Sequence, residues 1–351
     1  MPFTYVDLLG SGSVWSYPMS AIIYAKQTRF QSVHILETGN GRALFTDGNL
    51  QSHHSDEFAY HELLVHPAIF NAQRPVREVL HIGGGEGAGL REILKHNSVT
   101  SITHIDLDEE LVAICQRWLP QWSNGAFEDL RVHTEYEDAL VWVDSLVMSG
   151  VRAAYDCIIV DLPEPEEQPD GSITDHCYSL PFFQQLKLLL RPGGTLSTHL
   201  GPVHYANYDA FLRVFSLLAQ TFPYATPHIC PEVRWGFAVA AEHQLPYGRV
   251  QDEDEPSKLL NAFANNTHVL NTPLRYYNQG LHRFLGALPT YLDDALSFAV
   301  TAEWYYANRV LRMAGRIPAA EAAGFWKQPT SIQANQAKLQ SRQSIKIGGN
   351  Q

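Results

Sequence analysis

Between residues 20 and 50, apolar and polar positions follow one another at short range in SAIIYAKQTRFQSVHILETGNGRALFTDGNLQ, a stretch rich in β-branched and aromatic residues. Turn signals at Gly39-Asn40-Gly41 and Asp47-Gly48 interrupt it, because glycine relieves the strain of positive φ. The pattern predicts a small antiparallel β-domain at the N-terminus. From residue 76 the pattern changes. The runs VREVLHIGG, SITHIDLD, LRVHTEY, YDCIIVDL and GTLSTHLG read as strands, and GLREILKH, EELVAICQRWL and LPFFQQLKLLL have the apolar spacing of helices. This alternation predicts βαβ units and a parallel sheet covered on both faces. Ligands of such open sheets bind beyond the carboxyl ends of the strands, so the residues just after each strand are the candidates for chemistry.

Further on, the run Gln251-Asp252-Glu253-Asp254-Glu255-Pro256 reads as a solvated acidic loop. The stretch LRYYNQGLHRFLGALPTYLDDALSFAVTAEWYYANRVLRMAG then reads as two or more helices separated near Pro289. The closing QPTSIQANQAKLQSRQSIKIGGNQ has no apolar period and reads as a mobile polar tail.

Composition narrows the class. A chain of 351 residues has room for about two domains of ordinary size. A hydrophobic share of 45% with 18% charged residues is globular, and excludes a disordered, collagen-like or coiled-coil chain. The formal net charge of −12 repels phosphate backbones and anionic lipid, so neither nucleic acid nor a membrane is an expected partner. Cys115, Cys157, Cys177 and Cys230 are scattered with no CxxC, which argues against a disulfide framework or a zinc site and suits a reducing cytosol. MPFTYVDLLGSGSVW has no basic region before an apolar run, and no apolar stretch approaches the roughly 20 residues of a membrane span. The expectation is a soluble cytoplasmic protein without a metal.

The first predicted parallel strand runs into His81-Ile82-Gly83-Gly84-Gly85-Glu86-Gly87-Ala88-Gly89 and then a helix. Glycines there let a nucleotide approach the backbone and the helix N-terminus. The next strand ends in Asp106-Leu107-Asp108, about 20 residues on, the spacing of a carboxylate that binds a ribose. NAD enzymes and S-adenosylmethionine enzymes share these two features. The Gly83-x-Gly85-x-Gly87 spacing fits the second class better, and Glu86 would repel a pyrophosphate but hold an ammonium group. Asp138, after the third strand, can accept from the exocyclic amine of adenine or cap a helix. The fourth strand ends in Asp161-Leu162-Pro163-Glu164-Pro165, where prolines stiffen a loop with two carboxylates suited to bind or deprotonate an amine.

Together these residues resemble the polyamine aminopropyltransferases, the spermidine, spermine and thermospermine synthases. The resemblance runs through Phe30-Gln31, Thr46-Asp47-Gly48-Asn49-Leu50-Gln51 and Asp56-Glu57-Phe58-Ala59-Tyr60-His61-Glu62, then the glycine turn with Leu90-Arg91-Glu92-Ile93-Leu94-Lys95-His96. It continues through Asp106-Leu107-Asp108, Asp161 to Pro165, Leu274-Arg275-Tyr276-Tyr277-Asn278 and Ala287-Leu288-Pro289. The implied fold is a Rossmann-like, AdoMet-dependent methyltransferase core of the α/β class with a small N-terminal antiparallel β-domain and a C-terminal helical extension. The expected division is a β-domain over 1–65, the catalytic core over 66–250, a helical segment over 251–327 and the polar tail over 328–351.

The implied reaction is attack by a small-molecule amine on the aminopropyl carbon of decarboxylated S-adenosylmethionine, with release of 5′-methylthioadenosine. Asp161 would be the base and Tyr60 would orient the amine. Gln31, His61, Asp106 and Asp138 would position the nucleoside, against the turn of Gly83, Gly85 and Gly87, and Glu86 would hold the aminopropyl ammonium. Glu164 takes the second acidic position of the loop. The Asp-Leu-x-x-Pro form, with Cys177-Tyr178 after it, is similar to thermospermine synthases, and Tyr178 joins the acceptor side. The resemblance also implies a homodimer or homotetramer, since the family often uses such a β-domain for oligomerisation.

Two positions depart from the family's pattern. His199 follows Thr198 where a Gln is usual, and Arg234 enters a shortened loop, Cys230 to Phe237, that lacks its aromatic. An Arg facing the pocket would suit a carboxylate and favour intact S-adenosylmethionine as donor, with methyl transfer, 3-amino-3-carboxypropyl transfer or cyclisation as the reaction. A catalytically silent nucleoside-binding or interaction protein is the alternative of another class.

Overall fold

The computed structural model describes residues 3–8, 14–163, 176–203, 208–245 and 270–300; Glu164, the Asp252–Glu255 run and the tail over 328–351 lie outside them. Five strands, β1 (Phe3–Leu8), β2 (Val14–Gln27), β3 (Ser32–Thr38), β4 (Gly41–Thr46) and β5 (Asn49–His53), pair antiparallel in sequence order. The predicted turns close two of the hairpins. At the β4–β5 turn Asp47 and Gly48 have φ of 48° and 91°, the pair of left-handed residues that matches the twist of a two-residue hairpin. One face of this sheet lays Val33, Ile35 and Leu44 against Ala88, Cys115 and Trp122, and the other encloses Leu36, Ala43 and Phe45.

The rest of the described chain is built on a seven-stranded sheet of β6 (Glu78–Gly83), β7 (Ser101–Asp106), β8 (Val132–Tyr136), β9 (Tyr155–Asp161), β10 (Leu190–Pro202), β11 (Tyr224–Cys230) and β12 (Trp235–Ala241). Its order is β11-β12-β10-β9-β6-β7-β8. The five strands β6 to β10 run parallel as expected. The sheet as a whole is mixed, which corrects the all-parallel reading: β12 runs antiparallel to β10 and β11 because a short turn reverses the chain, with Arg234 left-handed at φ 53°.

Helices α1 (Glu57–Asn71) and α2 (Ala88–Leu94) cover one face, setting Leu63, Leu64, Leu90 and Ile93 over Val79, Cys157 and Ile159. Next along the chain come α3 (Glu109–Trp118) and α4 (Pro120–Ser123). Helices α5 (Ala139–Met148), α6 (Leu180–Leu189) and α7 (Asp209–Thr221) cover the opposite face, with Val143, Phe182, Phe183 and Phe215 over Leu80, Ile158 and Val160. With both faces buried, successive residues of β6 and β9 enter opposite cores, which is why these strands read as continuous apolar runs. Each fully buried side chain of this kind contributes about 1.5–3 kcal/mol. Helices α8 (Gln279–Phe284) and α9 (Thr290–Ala299) follow, and Pro289 stands at the N-cap of α9, where the break was expected.

Helix α1 is unusual in holding Pro67 in its interior. Proline cannot donate to the carbonyl four residues earlier. Here the Nε2–H of His228, on β11, supplies the missing donor to the Leu63 carbonyl at 3.0 Å, so the helix continues and is fixed to the sheet edge. On the next turn Glu62, fully buried, accepts the backbone N–H groups of Arg275, Tyr276 and Tyr277 at 2.8, 2.8 and 2.7 Å. A chain segment distant in sequence is thereby docked on α1. Residue 65, the expected end of the N-terminal domain, falls inside this helix.

The chain leaves β6 toward β7 and β8 and returns on its other side as β9 and β10. The order therefore reverses between β6 and β9, and a crevice opens beyond their carboxyl ends. Gly83 and Asp161, the last residues of the two strands, are paired there. Among the described residues no helix is long and apolar enough to cross a membrane, and no cluster of His, Cys, Asp and Glu could hold a metal ion.

Candidate active site

Strand parity decides where Asp161 points. Cys157 and Ile159 of β9 enter the core under α1, so Asp161, in the same phase, emerges on the α1 side at the strand's end. There the Tyr60 hydroxyl donates to its Oδ1 at 3.0 Å. His61, the next residue of α1, places Nε2 at 3.1 Å from Glu86 Oε1 and 3.9 Å from Asp161 Oδ2. Glu86 is held from its other oxygen by the Ser52 hydroxyl at 3.0 Å, and Ser52 in turn accepts from Trp122 Nε1 at 3.0 Å. Asp161, Tyr60, His61 and Glu86, four of the residues named from the sequence, are thus brought together.

His61 is charged. Its Nδ1–H donates to the Glu57 carbonyl at 2.7 Å while Nε2 faces a carboxylate, so both ring nitrogens meet acceptors. Burial opposes that charge, but Glu57 and Glu86 outweigh it and push His61 up to about 10. Behind it Arg91, on α2, grips Glu57 with two nitrogens at 2.8 and 3.1 Å. The result is a buried string of alternating charge, Arg91, Glu57, His61, then Glu86 and Asp161. Burial pushes Asp161 up to about 6, against the pull of His61 and with the repulsion of Glu86. Burial likewise raises the Tyr60 phenol well above its ordinary range, aided by Asp161, so it stays a neutral donor.

The glycine turn is shaped by close approach. A Cβ on Gly83, at φ 77°, would lie 2.2 Å from the Asp161 carbonyl oxygen, and one on Gly85 would lie 2.8 Å from Asp106 Oδ2. Gly87, also left-handed, precedes α2 and leaves space to Phe127 and Ser123. Asp106 accepts the Asp108 N–H at 2.8 Å, and burial pushes it up to about 7. Gln31 donates to Asp108 Oδ2 at 3.0 Å, and Thr28 to the same oxygen at 2.7 Å. The N-terminal sheet is in this way tied to the end of β7. Asp138 caps α5 by accepting the Leu140 N–H at 2.8 Å, the capping role weighed against adenine binding from the sequence.

On the other side of Asp161, Tyr178 and His199 are both buried and face each other, Oη to Nε2 at 2.9 Å. Both also bond the Leu162 carbonyl, and Trp235 Nε1 donates to His199 Nδ1 at 3.3 Å. Arg234 is exposed in the β11–β12 turn, and its carbonyl accepts the Val203 N–H at 2.8 Å. Glu232 in the same turn takes the Tyr276 hydroxyl. Glu164 lies outside the described residues. Sequence reasoning missed Ser52, Trp122, Glu57 and Arg91 as supports of the site. Glu57 and Arg91 stood inside the quoted motifs without a role, whereas Ser52 carried no local signal, being brought from the other sheet.

Residues 57–245 match the family described as spermine/spermidine synthase domain. A polyamine aminopropyltransferase of Aeropyrum pernix is 34% identical over 271 residues, covering 73% of this chain and 83% of that one. Polyamine aminopropyltransferase 2 of Hyperthermus butylicus is 33% identical over 307 residues, covering 85% and 93%. Among solved structures, the spermidine synthase of Thermotoga maritima superposes with a TM-score of 0.71 at 24% identity, covering 85% of this chain and 96% of that one. A spermidine synthase in complex with the transition-state analogue AdoDATO gives 0.73 at 24% identity, covering 85% and 97%. With its mixed sheet, glycine turn and acidic crevice set beside these relatives, the chain belongs to the spermine/spermidine synthase family of polyamine aminopropyltransferases.

Proposed function

We propose that this protein transfers the aminopropyl group of decarboxylated S-adenosylmethionine to an amine, releasing 5′-methylthioadenosine, with Asp161 as the base. The observation that carries the reading is the buried acidic crevice in which Asp161, held by Tyr60 at 3.0 Å, stands beside Glu86. A sulfonium is already a good leaving group, so the protein has chiefly to align the amine and keep it neutral. Free alkylamines hold their proton up to a pH of about 10, near the lysine value. Asp161, raised by burial toward that range, takes the proton. The nitrogen lone pair then forms the new N–C bond as the C–S bond breaks, and its electron pair stays on sulfur as the thioether. Tyr60 orients the amine and Glu86 holds the donor's ammonium. Gln31, His61, Asp106 and Asp138 line the nucleoside's path along the glycine turn. His199, Tyr178, Glu164 and Arg234 belong to the acceptor side, and the reading includes a cytoplasmic homo-oligomer.

Offering decarboxylated and intact S-adenosylmethionine in parallel, with and without an amine, tests it. Methylthioadenosine is expected only from the decarboxylated donor with an amine present. S-adenosylhomocysteine, or methylthioadenosine from the intact donor alone, would overturn the reading.

The pH profile has a defined sign. Asp161 must be ionised to act, and it protonates as the pH falls through about 6. Asp106, at about 7, accepts from a hydroxyl best when ionised, so its protonation weakens donor binding in the same direction. At saturating amine, kcat/KM for the donor is therefore expected to begin falling near pH 7 and to fall by at least about tenfold per pH unit below about pH 6. A flat profile between about pH 5 and about pH 8 would remove Asp161 as the titrating base.

A further inference from the structure

We propose that His199 is a positioning residue that aims Asp161 by clamping the Leu162 carbonyl together with Tyr178, and that it offers no lone pair to the substrate; the inference rests on the transferase reading above. Asp161 is the last residue of β9, fixed on its N-terminal side by the sheet ladder. Its C-terminal side leads into the Leu162–Pro163 peptide, which has no N–H because the second residue is proline. The Leu162 carbonyl is then the only polar handle by which hydrogen bonds can hold that peptide. Both of its lone pairs are used: His199 Nε2 bonds it, and the Tyr178 hydroxyl donates to it at 3.2 Å.

The direction of these bonds is settled by the far side of the ring. An indole N–H can only donate, so Trp235 Nε1, at 3.3 Å, makes His199 Nδ1 an acceptor. The proton of the neutral ring therefore sits on Nε2, which faces a carbonyl that can only accept. Trp235, Tyr178 and Tyr60 pack their rings around the imidazole, with centroids 6.1, 5.8 and 6.3 Å away. Burial in this aromatic setting pulls His199 down to about 4, so it does not carry charge beside an amine-binding crevice. With Nδ1 occupied by Trp235 and Nε2 carrying hydrogen, neither nitrogen can accept from an ammonium.

The test compares His199→Leu, His199→Gln and Trp235→Phe in the full chain, each checked for folding by calorimetric binding of 5′-methylthioadenosine. His199→Leu removes the donor and is expected to lower kcat by about 100-fold, with KM for the donor within about threefold, because a small misaim of the base is costly. Glutamine carries an N–H for Leu162 and a carbonyl for Trp235, so His199→Gln is expected to retain kcat within about fivefold. Trp235→Phe, which frees Nδ1 to take the proton, is expected to lower kcat by about tenfold. Wild-type kcat in His199→Leu, or an effect confined to the amine's KM, would overturn the inference. If the wild type transfers no aminopropyl group, the functional reading fails, and the clamp is judged by a separate readout. The ¹⁵N imidazole signals lost in His199→Gln identify this ring among the 16 histidines. A neutral Nε2–H tautomer at neutral pH is expected, and an imidazolium or an Nδ1–H tautomer would overturn the clamp.

Discussion

Replacing Asp161 with Asn is expected to lower methylthioadenosine release by about 10³-fold, the scale of a lost general base. The substitution keeps the shape of the side chain and an oxygen that can still accept the Tyr60 hydroxyl, now 3.0 Å from the carboxylate. It removes the capacity to accept a proton, so the attacking amine must lose its proton to water. Asp106 beneath Gly85, and Asp108 with Gln31, are bonded to one another and not to Asp161, so they keep their geometry. Affinity for 5′-methylthioadenosine is accordingly expected to stay within about threefold, a loss in kcat without one in binding. Single-turnover release and calorimetry read the two quantities separately. Turnover at the wild-type rate would remove Asp161 from the mechanism.

The largest expected effect on stability comes from Arg91, which lies away from the reacting atoms. Its guanidinium bonds Glu57 twice, Glu92 at 2.9 Å and the Trp122 carbonyl at 2.8 Å, joining α2 to α1 and α4. Glu57 and Glu92 are themselves buried, and Glu92 is held far below the usual carboxylate range: burial opposes its charge, but His66, Arg91 and Lys95 outweigh it. Removing one partner of a buried pair leaves an uncompensated charge, which costs about 3–5 kcal/mol. Arg91→Met is expected to lower the unfolding midpoint by about 10 °C, given about 2–4 °C per kcal/mol for domains of this size. Pairing it with Glu57→Gln removes the stranded charge and is expected to restore more than half of the loss. A thermal melt of the two variants decides the matter, and an unchanged midpoint in Arg91→Met would show that the string of charges does not hold α1 in place.

Much of the framework was legible in the sequence because it is local. The strands of the α/β core announce themselves as apolar runs, and the turns at Asp47-Gly48 and Gly83 to Gly87 as glycines that the backbone geometry requires. Helix α1 was not legible as a helix. EFAYHELLVHPAIF is buried on nearly every side, so no polar face marks its period, and it contains a proline whose missing bond is supplied by His228 from far along the chain. The direction of β12 was also hidden, since a run buried on both faces looks the same in either sense. At the candidate site, Asp161, Glu86 and Asp106 stood out at strand ends and in the glycine turn, and Tyr60 came from the family resemblance. The supports that tune them were not: Ser52 reaches Glu86 from another sheet, and Trp235 reaches His199 from a neighbouring strand.

The cradle at Glu62 also bears on how such an enzyme can diversify. The carboxylate grips residues 275–277 by their main chain alone, and a main-chain N–H is the same whatever side chain it carries. The side chains of Arg275 and Tyr276 are therefore released from the task of attachment. Arg275 lies over the Phe58 ring and Tyr276 meets Glu232 of the β11–β12 turn. Substitutions at these two positions can change the contacts made with Phe58 and Glu232 while the segment keeps its seat on α1, so this surface can vary without first giving up the fold.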